Sequence, residues 1–368
     1  MRLPTWYRAI LLVALIATLG IPPDGLVARA RQDEGPQQQA PAEQPAPPKP
    51  PAGPPQAQAP KQQTPPAPET SISVQSNVVN LDVVVTDQDG DILTNLQKQN
   101  FRILDDGQPQ QITNFAPSET PITMVILMEF SARFGGYFGY KAQEWSYSLL
   151  NSLGPKDWVA LKTFSMRTHI EADFTQNKGE IAQAINSLFY PDFSEANLFD
   201  ATLETLDQLR DVHGKKAILI LATGFDTFSK HNLDQTLTRV KESDVPIFCV
   251  GMGEDLDLYS PQGADVGYLQ AKNQLQTFAN MTGGYAWFPR FEGEMPDIFN
   301  AVAAYLRSQY TLGFTPSTPQ DGKFHKLKVE ALDEQGNPLL FTDKKGKKKK
   351  TIVHAREGYM ALTAPAGD

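Results

Sequence analysis

A single cysteine, Cys249, stands in 368 residues, so the chain cannot form an internal disulfide and its stability has to come from core burial. It lies in Ile247-Phe248-Cys249-Val250, an apolar setting that suits a buried, inert thiol better than a nucleophile. The five histidines (169, 213, 231, 325 and 354) lack metal-ligand spacing, and without a cysteine cluster a zinc site has no signature. There is no Gly-x-Ser-x-Gly elbow, no Walker loop and no Gly-x-Gly-x-x-Gly opening a helix after a strand. Gly251-Met252-Gly253 follows a predicted strand, but the third glycine is missing and Glu254-Asp255 would repel phosphate. These absences argue against a catalytic site, and no small-molecule substrate is evident. Positive charge is also short, with 33 Lys and Arg against 42 Asp and Glu for a net −9. So acidic a chain is a poor general nucleic-acid binder.

What is present begins with an export pattern over residues 1–30. Arg2 and Arg8 precede an apolar run, Ala9–Ile21, and Ala28-Arg29-Ala30 matches a cleavage signature. The run is too short to span a bilayer comfortably, so the expectation is a cleaved signal peptide and no transmembrane helix in the mature chain; an uncleaved anchor is the alternative. The segment holds three Arg and one Asp, so its removal takes the net charge from −9 to −11. Residues 31–70 are almost entirely Pro, Gln and Ala. They cannot bury enough apolar surface to offset their ordering entropy, which predicts a disordered linker with polyproline character. Fully extended, it would reach on the order of 120 Å, a length that serves a tether or a passive spacer equally.

Ser71–Pro117 reads as strand throughout. Val79, Leu81, Val83 and Val85 alternate, Asp87-Gln88-Asp89-Gly90 turns the chain, and Phe101–Leu104 pairs through Asp105-Asp106-Gly107 with a return over Gln111–Phe115. From Ile122 to about Arg307 the pattern becomes strict strand–helix alternation, the mark of a doubly wound, mostly parallel α/β sheet. Strands are predicted at Thr123–Glu129, Trp158–Phe164, His169–Phe174, Ala217–Ala222, Ile247–Gly251 and Tyr285–Phe288. The unalternating run at Met124–Met128 marks the first as central and buried on both faces. Helices are predicted at about Tyr140–Leu153, Lys178–Leu188, Leu198–Val212, Leu233–Ser243, Leu269–Met281 and Pro296–Arg307. Strands return over 308–363. The economical inference is that the two β-rich segments meet in one β-sandwich-like module, with the α/β domain, residues 118–307, inserted into it.

Ligands of such sheets collect beyond the carboxyl ends of the strands, where Glu129-Phe130-Ser131-Ala132-Arg133 lies. With Ala196-Asn197-Leu198-Phe199-Asp200-Ala201 and Leu221-Ala222-Thr223-Gly224-Phe225-Asp226-Thr227, this loop resembles the von Willebrand factor type A (VWA) fold. The order of segments over about residues 72–361 is similar to the acidobacterial-type VWFA-related secreted proteins. The resemblance implies a metal-ion-dependent adhesion site, MIDAS, built from Asp-x-Ser-x-Ser, a Thr and an Asp. Of those five positions only Ser131 is identical. Glu129 keeps the charge but moves the carboxylate outward, Arg133 brings a fixed positive charge, Ala196 has no oxygen, and Thr223 offers a hydroxyl in place of a carboxylate. The expectation is a degenerate MIDAS with no metal and no cofactor, Mg²⁺ being disfavoured. Arg133 either substitutes for the ion by pairing with Glu129 and Asp226 or points to solvent. Asp200 reads as a residue that satisfies free N–H groups or a neighbouring loop, and Asp226 as a turn residue or a ligand contact.

Phe134, Tyr137 and Phe138 beside this loop are candidates for a protein-binding rim, or else for burial under the next helix. The lysine run Lys344–Lys350 is a solvated hairpin loop or a contact for anionic envelope polymers or lipid headgroups. The leader pattern implies export to the periplasm, the cell surface or the medium, the missing motifs a non-enzymatic protein, and the resemblance a role in binding another protein or an envelope component through the strand carboxyl-end loops. An envelope hydrolase using Glu129 with Asp226 and a purely structural envelope scaffold are the alternatives.

Overall fold

The computed structural model describes residues 78–88, 90–117, 120–132, 145, 147–189, 193–251, 266–318, 321–342 and 346–363. The predicted signal and linker, together with Arg133, Phe134, Tyr137, Phe138, Lys344 and Lys345, lie outside them.

A six-stranded mixed sheet is built from β5 (Ile122–Glu129), β6 (Trp158–Phe164), β7 (Thr168–Thr175), β8 (Lys215–Ala222), β9 (Ile247–Gly251) and β10 (Ala286–Trp287). Its order is β10-β9-β8-β5-β6-β7, parallel except for β7 at one edge. All eight residues of β5 are buried, because helices cover both faces of the sheet. Met124, Ile126 and Met128 pack on one side with residues 147–152, which are helical, α1 (Lys178–Asn186) and α5 (Met295–Arg307). Val125 and Leu127 pack on the other with α2 (Leu198–Leu209), α3 (Leu233–Glu242) and α4 (Val266–Thr282). An uninterrupted apolar strand suits two apolar coats, since period-2 alternation would leave one face polar. Asp157 fixes where β5 begins. Its Oδ1 accepts from Ile122 N–H at 3.1 Å, and its Oδ2 accepts from Gly154 N–H at 2.6 Å and from Arg307 at 3.0 Å.

Four strands precede this sheet: β1 (Val79–Thr86), β2 (Phe101–Asp105), β3 (Gln108–Gln110) and β4 (Ile112–Pro117). Six follow it: β11 (Tyr310–Phe314), β12 (Phe324–Ala331), β13 (Leu340–Thr342), β14 (Lys348–Lys350), β15 (Ile352–His354) and β16 (Gly358–Met360). The two groups interleave in the sheets β15-β1-β11-β4 and β16-β12-β2-β3. Leu81, Val83 and Val85 of one sheet meet Ile103, Leu327 and Val329 of the other in a shared core. Val84, on the opposite face of β1, joins the core of the α/β domain. The alternation in β1 is therefore read twice, once by each layer it touches.

Two details depart from the sequence reading. The strand returning from β2 is Gln108–Gln110, and Ile112–Pro117 crosses to the other sheet to pair with β11. The apolar Ile112 and Phe115 explain the crossing, since both pack into the shared core from that side. The last three lysines of the basic run form β14, paired with β13.

Candidate functional site

The loops at the carboxyl ends of β5, β6 and β8 and the segment before α2 brace one another through their backbones. Phe130 N–H donates to Phe164 O at 2.8 Å, Ala132 N–H to Phe193 O at 2.6 Å, Asn197 N–H to Ser165 O at 2.8 Å, and Thr227 N–H to Ala196 O at 2.8 Å. Gly224 holds φ +87° with its α-carbon against α4, where an added Cβ would stand 2.6 Å from Ala271 O. Only glycine allows both that conformation and that approach, so the turn carrying Thr223 and Asp226 is pinned to the helix behind it.

Glu129, Ser131 and Thr223 come together at the end of the central strand. The Glu129 carboxylate is buried. Its Oε1 accepts from Ser131 Oγ at 2.8 Å, and its Oε2 accepts from the Thr223 N–H at 2.8 Å and Thr223 Oγ1 at 2.7 Å. Both hydroxyls thus spend their protons on this carboxylate, and β5 and β8 are tied by a side chain just past their last ladder bonds. Ala196 is wholly buried and places a methyl group where the family pattern has a Thr hydroxyl.

Asp200 and Asp226 have other partners. Asp200, in the first turn of α2, reaches out to the loop before α3. Its Oδ2 accepts from Lys230 N–H at 2.9 Å, and its Oδ1 accepts from His231 N–H at 3.1 Å and contacts His231 Nδ1 at 2.7 Å. Burial opposes its charge, yet the Lys230 amide and the His231 ring and amide together hold the carboxyl below its usual range. Asp226 Oδ1 accepts from Phe199 N–H at 3.1 Å and Ser229 Oγ at 2.5 Å, satisfying a free donor at the start of α2 that Asn197 does not cap. Burial pushes the Asp226 carboxyl above its usual range, and the Ser229 and Phe199 hydrogen bonds offset this only in part. Glu129 and Asp226, the pair a hydrolase would need, are thus each held by separate partners.

The sequence reading placed an aromatic rim on Phe134, Tyr137 and Phe138 and missed three other phenylalanines at this surface. Phe189 and Phe193, between α1 and α2, and Phe228, after β8, are 73%, 47% and 48% exposed. The aromatic cluster Phe189-Tyr190-Pro191-Asp192-Phe193 was the available signal. Far from the loops, at the amino ends of the strands, a cavity of about 770 Å³ opens beside Lys215, Lys216 and Arg356. Its lysines are already engaged. Lys215 Nζ donates to Leu306 O, and Lys216 Nζ donates to Leu209 O at 3.1 Å and pairs with Asp244 at 3.0 Å. Cys249 is buried, and burial pushes its thiol up.

The profile of the von Willebrand factor type A domain matches residues 124–287, the span from β5 to β10. The chain carries a VWA domain. Among solved structures it is similar to the von Willebrand factor type A protein from Catenulispora acidiphila, with 11% identity and a TM-score of 0.42 over 78% of this chain and 75% of that one. The vWF domain of the type V pili tip protein Mfa5 from Porphyromonas gingivalis matches at 12% identity and a TM-score of 0.37, over 50% of this chain and 94% of that one. The PilB minor pilin from Streptococcus sanguinis matches at 11% identity and a TM-score of 0.38, over 52% of this chain and 63% of the pilin, so less than two thirds of that protein is spanned. No curated protein matches the chain. Among the described residues no helix is long and apolar enough to cross a membrane.

Proposed function

We propose that this VWA domain is an exported binding module that captures another protein or an envelope component through the loops beyond β5, β6 and β8, without a metal ion. The observation that carries the reading is the set of three phenylalanines exposed on mutually braced loops. Exposed aromatics on a rigid platform mark contact surfaces, because they bury large area with little loss of side-chain freedom. VWA domains mediate protein–protein interaction, and the loop surface is the part of the fold where ligands collect. Export rests on the charged-then-apolar pattern of residues 1–30 and its A-x-A site.

The residues present do not fit Mg²⁺. That ion requires near-octahedral oxygen coordination at about 2.0–2.1 Å. Here the Ser131 and Thr223 hydroxyls donate to Glu129, and Ala196 offers no oxygen. A cation would have to displace the Ser131 and Thr223 hydrogen bonds to the carboxylate. Glu129 and Asp226 are tied to different partners, which supports binding over hydrolysis at these loops.

The test is capture from envelope extract by the immobilised full chain, compared with a Phe193→Ser/Phe228→Ser double variant. We expect the captured set to survive EDTA and the double substitution to reduce it about tenfold or more, a loss of about 1.4 kcal/mol or greater. Capture that vanishes with EDTA, or that is unchanged by the double substitution, overturns the reading.

A further inference from the structure

A second cluster of acidic and imidazole groups lies in the sandwich, apart from the loop site. Asp105 closes β2, and Asp106 and Gly107 form the turn to β3 with φ +46° and +83°, the paired left-handed geometry of a tight hairpin. His325, the second residue of β12, faces this turn. Asp105 is wholly buried and His325 is 6% exposed.

The Asp105 carboxylate is used on one side only. Its Oδ2 accepts from Thr318 Oγ1 at 2.8 Å and from Tyr359 Oη at 3.0 Å, whereas its buried Oδ1 has no hydrogen-bond partner. That oxygen looks across 3.9 Å to His325 Nδ1, which stands 2.9 Å from Asp106 Oδ2 without the alignment of a hydrogen bond. The other Asp106 oxygen is taken by the Lys326 N–H at 2.9 Å. His325 Nε2 meets Asp321 Oδ1 at 3.2 Å, and the imidazole stacks on the Tyr359 ring at 5.6 Å. A proton on Nε2 directed at Asp321 leaves a lone pair on Nδ1, facing two carboxylate oxygens. Three electron-rich atoms then converge within 4.8 Å of one another, an arrangement that calls for a cation.

We propose that Asp105 Oδ1, Asp106 Oδ2 and His325 Nδ1 form a binding site for a divalent transition-metal ion of the Zn²⁺ class. Zn–N and Zn–O bonds of about 2.0–2.2 Å put two ligands of one ion about 3–4 Å apart; the imidazole nitrogen stands 2.9 and 3.9 Å from the two carboxylate oxygens, close to that range, and all three atoms lie within 4.8 Å of one another. An imidazole in the set favours a transition metal over Mg²⁺ or Ca²⁺, which take oxygen ligands. Asp321 supplies the outer carboxylate that fixes a ligating imidazole's tautomer, and Thr318 and Tyr359 orient Asp105. Asp106 is 46% exposed, so the remaining coordination positions open to water. The hairpin turn precedes the α/β domain in sequence and β12 follows it, so the ion would clip the two β-rich segments together.

Calorimetric titration of the chelator-treated full chain with Zn²⁺ tests this, alongside x-ray absorption of the loaded protein. We expect one ion per chain and a first shell of one imidazole nitrogen with oxygens and no sulfur. Asp321→Asn should weaken binding roughly tenfold to hundredfold, and Asp106→Asn and His325→Gln should each weaken it further. Asp106→Asn keeps the acceptor for Lys326 N–H on an exposed turn, so a folded Asp106→Asn chain by circular dichroism separates lost ligation from lost structure. Absence of Zn²⁺ binding to the parent chain would show that a proton on His325 already supplies the charge, and overturns the proposal. Binding unchanged in Asp106→Asn, or a shell without imidazole nitrogen, overturns it too.

Discussion

Two buried carboxylates, Glu129 in the VWA domain and Asp105 in the sandwich, sit in similar seclusion with opposite surroundings. Both oxygens of Glu129 accept hydrogen bonds, Oε1 from Ser131 and Oε2 twice from Thr223. Asp105 accepts two on one oxygen and none on the other. What distinguishes a ligand from a structural acid is thus the set of donors already facing it, more than position in a fold. At the end of the central strand the carboxylate ties two strands together, whereas in the accessory module one carboxylate oxygen is left without a hydrogen bond.

The largest expected effect tests the tie. Glu129→Ala removes a carboxylate that serves the Thr223 amide and two hydroxyls in a buried setting, and should destabilise the protein by about 4 kcal/mol in urea unfolding. Glu129→Gln, which can still accept from Thr223, should recover more than half of that loss. The loss should be equal with and without EDTA; a loss that EDTA reproduces in the parent chain would make Glu129 a metal ligand and erase the contrast with Asp105.

A somewhat smaller effect tests whether the two regions stand or fall together. His354 of β15 pairs across from β1 and packs against Tyr285 and Tyr305 of the VWA domain, with ring centroids 5.4 and 5.6 Å away. It contacts Thr86 Oγ1 at 3.1 Å. Burial lowers its pKa from 6.5 to about 4, so between those values the unfolded chain binds a proton that the folded chain refuses. Stability therefore falls as pH drops from 6.5 towards 4, by on the order of 3 kcal/mol, and levels off below. His354→Gln should flatten that limb of the stability curve. A mutant curve that keeps the full slope would place the acid sensitivity elsewhere and leave the junction between the regions unsupported.

Much of this architecture was legible in the sequence. The unbroken run at Met124–Met128 announces a strand coated on both faces, and it is the central strand of the sheet. Strand–helix alternation placed the elements within a few residues, because long apolar periodicities leave little choice of face. The path of β4 was not legible, since a hairpin signal at Asp106-Gly107 says which residues turn but not how far the return strand stays with its partner. The loop segments could be matched in order, but their hydrogen bonds could not: that Ser131 and Thr223 donate to Glu129 depends on side-chain directions set by distant packing. Asp105 and Asp106 read only as a turn. His325 lies 219 residues beyond Asp106, so no local spacing could announce that they face one another.

The smallest effect concerns Asp200, the acid at the loop site whose partners come entirely from another segment. It gathers the Lys230 and His231 amides and the His231 ring, and so holds the turn before α3 against α2. Asp200→Ala leaves those two amides on an exposed stretch where water can replace the lost acceptor, so the cost should be only about 1 kcal/mol. Its consequence should be local: faster amide hydrogen exchange at Lys230 and His231, with exchange at Thr223 unchanged. If Thr223 were also to lose protection, the Glu129 tie and the Asp200 brace would be one cooperative unit. The VWA site would then resemble the Asp105 cluster in depending on groups drawn from several segments at once, and the contrast between a closed tie and an open valence would rest on donor count alone.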